Sequence, residues 1–302
     1  MESKRSAVVT GSTKGWGRAV AEGFASQGIR VLVNGTSEEV DVVVDSIKAS
    51  GGDAVGARYA SDNVEGVNRL MEQALDVFGH VDIWVNSLGI QNPQPLLTMD
   101  LANWNEILRI QLTSYFLGTQ RAAQEMVQKG NGGRIINVVG GGAYGIPGAS
   151  AHSASKGGAL SATYSWAGEL KEYGIMVNAV RGGVRSPGMR AYMGGMGILN
   201  EDSEADNEAW RKLGFYGPEE AAPLTNWLAS ESVNDITGYQ IGIDGPRIVV
   251  YDRVHLQLEL VDKDGWTEEK LESRLRPALL EQSRAEDAVL SATSVGGEQP
   301  KY

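Results

Sequence analysis

The amino-acid sequence predicts an α/β protein with a doubly wound, mostly parallel sheet covered by helices on both faces. Short runs rich in β-branched residues alternate with longer stretches of helical hydrophobic spacing. Strands that alternate with helices are joined by crossovers, which bury a parallel sheet between two helical layers. The 39 glycines among 302 residues are spread along the chain, so they indicate tight turns rather than a low-complexity tract.

The predicted elements follow one another in a regular order. The apolar β-branched runs predict strands, and the longer segments between them predict helices. Because right-handed crossovers bring the carboxyl ends of parallel strands to one edge of the sheet, we expect a ligand there. The strands are predicted over 7–10, 30–34, 54–59, 82–86, 134–139, 175–180 and 239–243, and the helices over 16–27, 38–50, 63–78, 98–128, 153–173 and 218–230.

One internal segment departs from this order. Residues 185–216 are rich in glycine and methionine and then in acids, without a strand pattern. We expect a mobile loop with short helices. Because methionine side chains pack adaptably on apolar surfaces, they favour an apolar or aromatic substrate, although a surface loop with a solvated acidic half is an equal alternative.

The chain continues beyond the last predicted parallel strand. Alternating apolar and polar residues over 254–260 predict a half-buried strand, and we expect 247–260 to pair with a sheet edge or a neighbouring subunit. A helix is predicted over 268–280, where Pro277 would end or kink it. The resulting division is a domain over 1–246, a strand–helix extension over 247–282 and a disordered tail over 283–302.

Composition and charge exclude several kinds of function. The chain has no cysteine, which excludes disulfides, thiolate metal sites and a cysteine nucleophile. The three histidines are scattered and form no HExxH pair, so no metal site is predicted. With 27 Lys and Arg against 38 Asp and Glu, the net charge of −11 speaks against a nucleic-acid partner. There is neither a signal-peptide pattern nor a long apolar run, so we expect a cytoplasmic protein without membrane contact.

A glycine-rich turn, Thr10-Gly11-Ser12-Thr13-Lys14-Gly15-Trp16-Gly17, stands between the first predicted strand and helix. Residues without a Cβ allow a tight turn and a close backbone approach to a pyrophosphate. The phosphate charge then lies at a helix N-terminus, where backbone N–H groups are free. The context of strand and helix therefore predicts a dinucleotide site.

This turn belongs to a set of motifs that resembles the short-chain dehydrogenase/reductase family. The other motifs are Asn86-Ser87-Leu88-Gly89, Lys156 and the segment 177–187, and the resemblance covers roughly residues 5–246. It implies a single Rossmann-type domain, a nicotinamide cofactor, a small-molecule substrate with a lid at about 185–216, and a homodimer or homotetramer built through the helices at 98–128 and 153–173. The implied cofactor residues are Gly11, Ser12, Thr13, Lys14, Gly15, Trp16, Gly17, Asn34, Thr36, Asp62, Asn86, Gly89, Lys156, Gly183, Val184 and Ser186.

Charge then favours NADP(H) over NAD(H). An NAD site usually carries an acid about 20 residues after the glycines, and the end of the second strand, residues 33–37, has none. Lys14 lies where NADP-preferring family members carry a basic residue. The alternative is that Lys14 is only a solvated lysine in a loop. Ala60 stands where the family usually has an adenine-binding Asp, so Asp62 or backbone groups would have to serve.

The catalytic positions depart from the family pattern. By the resemblance, His152 stands at the position of the catalytic Tyr, Val139 or Gly140 at that of the Ser, and Gln111 at that of the Asn, whereas Lys156 is retained. Losing one donor to a developing alkoxide typically slows the chemistry about 10²–10³-fold. The resemblance therefore does not carry the usual mechanism over to this chain.

His152 lies one helical turn from Lys156, so the two share a face. A neighbouring ammonium disfavours imidazolium, so we expect a neutral His152 that accepts a proton, unless it only satisfies local hydrogen bonds. Tyr144, in the glycine-rich loop before this helix, is a candidate to supply the missing phenol. Alternatively, a substrate such as an iminium ion needs no alkoxide stabilisation.

Three functions remain open at this point. The first is an NADP(H)-dependent oxidoreductase with an altered acid–base site, in which His152 and Lys156 act with Gln111 or Tyr144 on a small carbonyl, imine or alcohol. The second is a non-redox isomerase, lyase or cyclase with His152 as general base. The third is a catalytically silent NADP(H)-binding protein.

Overall fold

An eight-stranded sheet organises the protein, in the strand order β3-β2-β1-β4-β5-β6-β7-β8. The computed structural model describes residues 4–187, 189–190, 193, 204–251, 260, 262–263, 266–279 and 281. Strands β1 to β7 pair in parallel, and β8 pairs antiparallel with β7. The strands are β1 (Ser6–Val9), β2 (Arg30–Asn34), β3 (Ala54–Ala57), β4 (Ile83–Asn86), β5 (Gly133–Val138), β6 (Ile175–Arg181), β7 (Gln240–Asp244) and β8 (Arg247–Tyr251).

Helices cover both faces of the sheet. Alternate strand residues point to opposite sides, so Ala7 and Val9 pack with α1, α2 and α8, whereas Val8 packs with α3 and α5. The doubly wound α/β class predicted from the sequence is thereby confirmed. The helices are α1 (Gly15–Ser26), α2 (Glu39–Ala49), α3 (Val64–Phe78), α4 (Leu101–Leu108), α5 (Ser114–Lys129), α6 (Ser150–Leu170), α7 (Glu204–Lys212) and α8 (Pro218–Leu228).

The strand order reverses beside β1. The chain moves outward from β1 to β2 and β3, and then returns to place β4 on the other side of β1. Crossovers that leave in opposite directions open a crevice at the carboxyl ends of the strands, where α/β proteins bind their ligands. The glycine-rich turn after β1 and the loop after β4 both lie at this edge.

The helix predicted over 98–128 is interrupted by one wider turn. A π-helical segment, Arg109–Thr113, joins α4 to α5 and contains the fully buried Gln111. The hydroxyl of Ser114 donates to the carbonyl of Ile110 at 2.5 Å. Single π-turns of this kind redirect side chains and occur often at functional sites.

Two further segments extend the predicted order. Strand β8 covers the edge of β7, and α7 is a short helix within the segment 185–216, where short helices are expected. The Met-rich stretch 194–200, the predicted strand over 254–259 and the predicted tail over 283–302 lie outside the described residues. No helix in the described part of the chain is both long and apolar enough to span a membrane.

The chain divides into two units, Met1–Tyr251 and Asp252–Tyr302. In the second unit a short helix, Glu268–Lys270, continues as a π-helix, Leu271–Leu275. Asp262 accepts hydrogen bonds from Lys270 at 2.9 Å and from Arg274 at 2.7 Å. The residues after this π-turn, including Pro277, are again helical. Because proline has no N–H to donate, the wider turn before it is a natural accommodation.

Candidate active site

The glycine-rich turn after β1 forms the floor of the candidate site. Gly11 and Gly15 have φ angles of +63° and +56°, a region that side chains with a Cβ rarely adopt. A Cβ on Gly17 would lie 2.6 Å from the carbonyl oxygen of Gly11, so only glycine allows α1 to start this close to the strand. Lys14 caps α1 without a side-chain hydrogen bond. The N-cap side chain therefore leaves the positive end of the helix dipole without a hydrogen bond, which suits an anionic group.

Three side chains of this turn bind or pack against the protein itself. The Ser12 hydroxyl donates to the carbonyl of Val9 at 2.7 Å, and Thr13 packs against Gly35. The buried Trp16 donates from its indole nitrogen to Thr225 on α8 at 3.0 Å. At Ser12 and Trp16 the side-chain polar groups are thereby occupied, whereas Thr13 contacts Gly35 through its methyl group.

Asn34, at the end of β2, holds three chain segments together. Its side-chain nitrogen donates to the carbonyls of Ala57 and Tyr59, at 3.2 and 2.8 Å, and its oxygen accepts from the amide of Gly11 at 3.4 Å. The nitrogen and the oxygen of this single side-chain amide thus join the ends of β2 and β3 to the glycine-rich turn. Asn34 therefore supports the turn from within the protein.

Lys14 forms an ion pair with an acid that the sequence analysis did not consider. Its Nζ lies 2.8 Å from Oε1 of Glu39, in the first turn of α2, and both side chains are about half exposed. The hydrogen bond from Lys14 is the main cause that holds the pKa of Glu39 below its usual value. The exposed Thr36 lies between β2 and α2. Glu39 lies two residues beyond the segment 33–37, in which the sequence has no acid.

Asp62 forms an ion pair with Arg109, which belongs to the π-helical segment. Its other carboxylate oxygen accepts from Asn63 at 3.1 Å. The carboxylate predicted to bind adenine is therefore already engaged with two partners. A ligand at this position would meet a neutralised pair rather than a free acid.

Asn86, at the end of β4, is buried and directed into the protein. Its nitrogen donates to Asn137 at 2.8 Å and to Thr119 at 3.1 Å, and its oxygen accepts from Trp84 at 2.8 Å. Like Asn34, it fixes the strand ends that support the site. Gly89, three residues further on, is exposed.

The segment after β6 closes the site from the other side. A Cβ built on Gly15 would lie 3.2 Å from that of Ser186, so this segment directly faces the glycine-rich turn. The carbonyl of Gly183 accepts from the amide of Tyr216 at 2.7 Å, and Val184 is bridged to the same residue. The segment 185–216, which is predicted to cover the substrate, therefore begins and ends near the glycine-rich turn.

The buried Lys156 meets a phenol that the sequence analysis missed. Its Nζ donates to the hydroxyl of Tyr115, on α5, at 3.0 Å and to the carbonyl of Val138 at 3.1 Å. The Tyr115 hydroxyl in turn lies 2.7 Å from the Val138 carbonyl and 3.2 Å from that of Leu88. Burial lowers the pKa of Lys156 to about 7 and raises that of Tyr115. The available signal was spacing, since Tyr115 follows the candidate Gln111 by four residues.

His152 lies against the backbone of the loop after β5. A Cβ built on Gly142 would lie 2.7 Å from Nε2 of the ring, so only glycine allows the imidazole this position. Burial, and then the charge of Lys156, lower its pKa to about 4. Its buried Nδ1 has no hydrogen-bond partner in the described part of the chain. The ring is therefore a neutral base at pH 7.

The other candidates differ in what their side chains contact. The side-chain nitrogen of Gln111 donates to the carbonyl of Ile90 at 2.8 Å, and its buried oxygen has no partner among the described residues. The Tyr144 hydroxyl donates to Gln240, on β7, at 2.6 Å. Val139 is fully buried beside Tyr115. Of the four catalytic candidates, the structure brings Lys156 and His152 together on one helix, and it directs the phenol of Tyr144 to β7.

Comparison with known proteins agrees with this fold. Residues 5–195 match the family model described as short chain dehydrogenase. The chain belongs to the short-chain dehydrogenase family. It is 34% identical over 248 residues to a 3-oxoacyl-[acyl-carrier-protein] reductase of Synechocystis, covering 80% of this chain and 96% of the relative.

Other relatives differ in the substrates that their names state. The chain is 32% identical over 247 residues to 3beta-hydroxysteroid dehydrogenase 1 of Eggerthella lenta, covering 80% of this chain and 92% of the relative. A crystal structure of a short chain dehydrogenase from Mycobacterium avium superposes with a TM-score of 0.77 at 28% identity, covering 91% of this chain and 94% of that one. Relatives with such different names agree on the class of protein and leave the substrate open.

Proposed function

We propose that this protein is an NADP(H)-dependent oxidoreductase that acts on a small carbonyl, imine or alcohol through an altered acid–base site. The observation that carries the proposal is the pair of bases on α6, the buried Lys156 and the partly buried His152. His152 lies one helical turn before Lys156, whose amine is held by Tyr115 and Val138. When bound, the nicotinamide supplies or accepts the hydride.

The residues after β1 suit such a cofactor. The positive-φ glycines and the uncapped N-terminus of α1 offer backbone N–H groups to a pyrophosphate. Lys14 supports the preference for NADP(H) over NAD(H), and Glu39 opposes it because a carboxylate repels a 2′-phosphate. We favour NADP(H) since the lysine, within the turn itself, is the residue that family members use.

In this proposal each base has a separate part. The neutral imidazole of His152 accepts the proton that an alcohol loses on oxidation. In the other direction the same imidazole, once protonated, returns that proton, and Lys156, with a pKa of about 7, exists in both protonation states near neutral pH and can resupply it. Tyr115 holds the lysine amine in place. Gln111 lies on the same side of the sheet as these bases and offers its oxygen, which has no partner among the described residues, as a hydrogen-bond acceptor.

Two measurements test this proposal. Energy transfer from the tryptophans, including the buried Trp16, should report NADPH binding. Absorbance at 340 nm should then change with members of a panel of ketones, imines and alcohols, and His152→Gln should slow that turnover at least a hundredfold without changing NADPH affinity. His80→Gln is the matched control, because His80 lies just before β4, at the opposite edge of the sheet. No response to millimolar NADPH would overturn the proposal, and binding without turnover would favour a silent binding protein.

A non-redox reaction is the second candidate. The low pKa and unpartnered Nδ1 of His152 suit a general base that needs no hydride. Turnover of a carbonyl compound without absorbance change at 340 nm, lost in His152→Gln, would favour an isomerase, lyase or cyclase.

We also propose that the protein is a homodimer or homotetramer through the helices on the α4–α6 side. Leu101 on α4 and Phe116 on α5 are apolar and exposed. A monomer by sedimentation at micromolar concentration would contradict this assembly.

A further inference from the structure

An arginine with an unpartnered donor lies next to the candidate site. Arg181 ends β6 at the carboxyl edge of the sheet, and its guanidinium carbon lies 5.4 Å from the ring centre of Tyr144 and 4.7 Å from that of Tyr251. The two ring centres are 5.4 Å apart, so the three groups form a triangle rather than a stack. The negative faces of aromatic rings stabilise a cation but accept few hydrogen bonds.

Arg181 donates a side-chain hydrogen bond to the hydroxyl of Tyr144, but part of its guanidinium is left without an acceptor. Among the described residues, its buried Nε has no hydrogen-bond partner and no carboxylate lies within ion-pair distance of it. Asp244, at the end of β7, accepts instead from the amide of Gly183 at 3.0 Å and pairs with Arg247 at 3.7 Å. Buried donors without acceptors are rare in folded proteins, and each calls for an explanation such as a bound ion, a water or a role in catalysis.

A second unpartnered donor lies on the same face of the sheet. Gln240 pairs with Ala179, two residues before Arg181, so both side chains project to the same side. Its oxygen is occupied by the hydroxyl of Tyr144, which orients the amide, and its buried nitrogen has no partner among the described residues. Arg181 and Gln240 therefore offer only donors. A ligand that satisfies both is an acceptor with several oxygens.

The cluster of Arg181 and Gln240 lies close to His152, the proposed base. A Cβ built on Gly141 would lie 3.8 Å from Nη2 of Arg181, and one built on the next residue, Gly142, would lie 2.5 Å from the ring of His152. The guanidinium and the imidazole thus flank neighbouring residues of one short loop, which also carries Tyr144. An oxyanion held by Arg181 would belong to a molecule that reaches His152.

We propose that Arg181 and Gln240 form a carboxylate-binding subsite, and that the substrate is a small carbonyl compound or alcohol that bears a carboxylate. A planar guanidinium and a planar amide match the two oxygens of a carboxylate. Tyr144 is then a positioning residue that orients Gln240 rather than an acid in the reaction. The inference rests on the proposed function for its reaction, but the binding of the anion stands independently of it.

Calorimetric titration of the full-length protein with benzoate and with benzamide tests the subsite. We expect benzoate to bind at least tenfold more tightly than benzamide, and Arg181→Gln to remove the difference, because charge-assisted hydrogen bonds are the strong ones. Gln240→Glu retains an acceptor for Tyr144 but places a carboxylate at the subsite, so it should abolish benzoate binding. Arg69→Gln, on the surface of α3, is the matched control and should bind benzoate like the wild type.

The outcomes separate this inference from the proposed function. Equal binding of benzoate and benzamide, or benzoate binding that persists in both Arg181→Gln and Gln240→Glu, overturns the subsite. Binding of inorganic phosphate without benzoate assigns the cluster to a phosphoryl group and also overturns it. Arg181-dependent benzoate binding without any response to NADPH would retain the subsite and reject the oxidoreductase. NADPH-dependent turnover of neutral carbonyls alone, without benzoate binding, would do the reverse.

Discussion

The Nζ of Lys156 lies 3.0 Å from the phenolic oxygen of Tyr115, although 41 residues separate the two in sequence. The lysine is on α6 and the tyrosine on α5, and both are buried beneath the end of β5. A lysine and a phenol therefore meet in this site, but the phenol comes from a different helix than the resemblance implied. The Tyr115 hydroxyl contacts the lysine amine inside the protein and does not face outward. Its role is therefore to hold that amine in place.

Replacement of Tyr115 by Phe should disturb Lys156. The change removes one acceptor of the buried ammonium, which disfavours the charged form, so the pKa of Lys156 should fall below about 7. We expect a loss of stability of about 1 kcal/mol, turnover reduced about tenfold and a pH–rate profile displaced to lower pH. Tyr173→Phe, at a half-exposed position, is the control. An unchanged pH profile would show that the phenol has only a packing role.

The pH dependence of stability should report on His152. In the folded state its pKa is about 4, against an ordinary 6.5, so between these values the unfolded chain binds more protons. Its contribution to stability is therefore complete above pH 6.5 and is lost as the pH falls towards 4, by on the order of 2 kcal/mol.

Urea denaturation at pH 4.5 and pH 7.5 measures this difference. His152→Gln should reduce the rise in unfolding free energy between the two pH values, whereas His80→Gln controls for replacement of a histidine as such. An identical rise in wild type and His152→Gln would mean that the imidazole is not held neutral by its surroundings.

The ion pair between Lys14 and Glu39 should tune cofactor choice. Glu39→Gln removes the carboxylate beside the proposed 2′-phosphate position, so affinity for NADPH should rise a few-fold relative to NADH. Lys14→Ala should lower it by about tenfold. Fluorescence titration with each cofactor measures the ratio, with Glu38→Gln as the control on an exposed neighbour. A higher affinity for NADH than for NADPH in the wild type would contradict the assignment of NADP(H).

Two glycine-to-alanine changes should have opposite effects. Gly17→Ala places a Cβ 2.6 Å from the carbonyl of Gly11, so it should destabilise the protein by more than about 1 kcal/mol and impair cofactor binding. Gly168→Ala, on α6 with nothing within 4 Å of the added Cβ, should stabilise it by up to about 1 kcal/mol. Thermal unfolding of both variants, with and without NADPH, provides the test. Equal effects would mean that the turn is not closely packed.

Much of the candidate site could be predicted from the sequence, but the contacts of individual side chains could not. The glycine-rich turn, His152 and Lys156 were recognisable because their signals are local: a turn between strand and helix, and a spacing of one helical turn. Trp16, Asn34 and Asn86 were expected at the cofactor, and their side chains instead bind within the protein. Whether a polar side chain at a strand end faces a ligand or its neighbour depends on contacts that no local pattern reports.

The order of strands and helices, the doubly wound class and the position of the glycine-rich turn could be predicted from the amino-acid sequence. These features depend on hydrophobic periodicity and on backbone freedom within a few residues. The tertiary structure alone decided which distant groups meet: Tyr115 with Lys156, Glu39 with Lys14, and Arg181 with Tyr144 and Tyr251. The physical reason is that sheet register and crossover packing place residues far apart in the chain side by side. Burial and neighbouring charge at those places then set the protonation of His152 and Lys156.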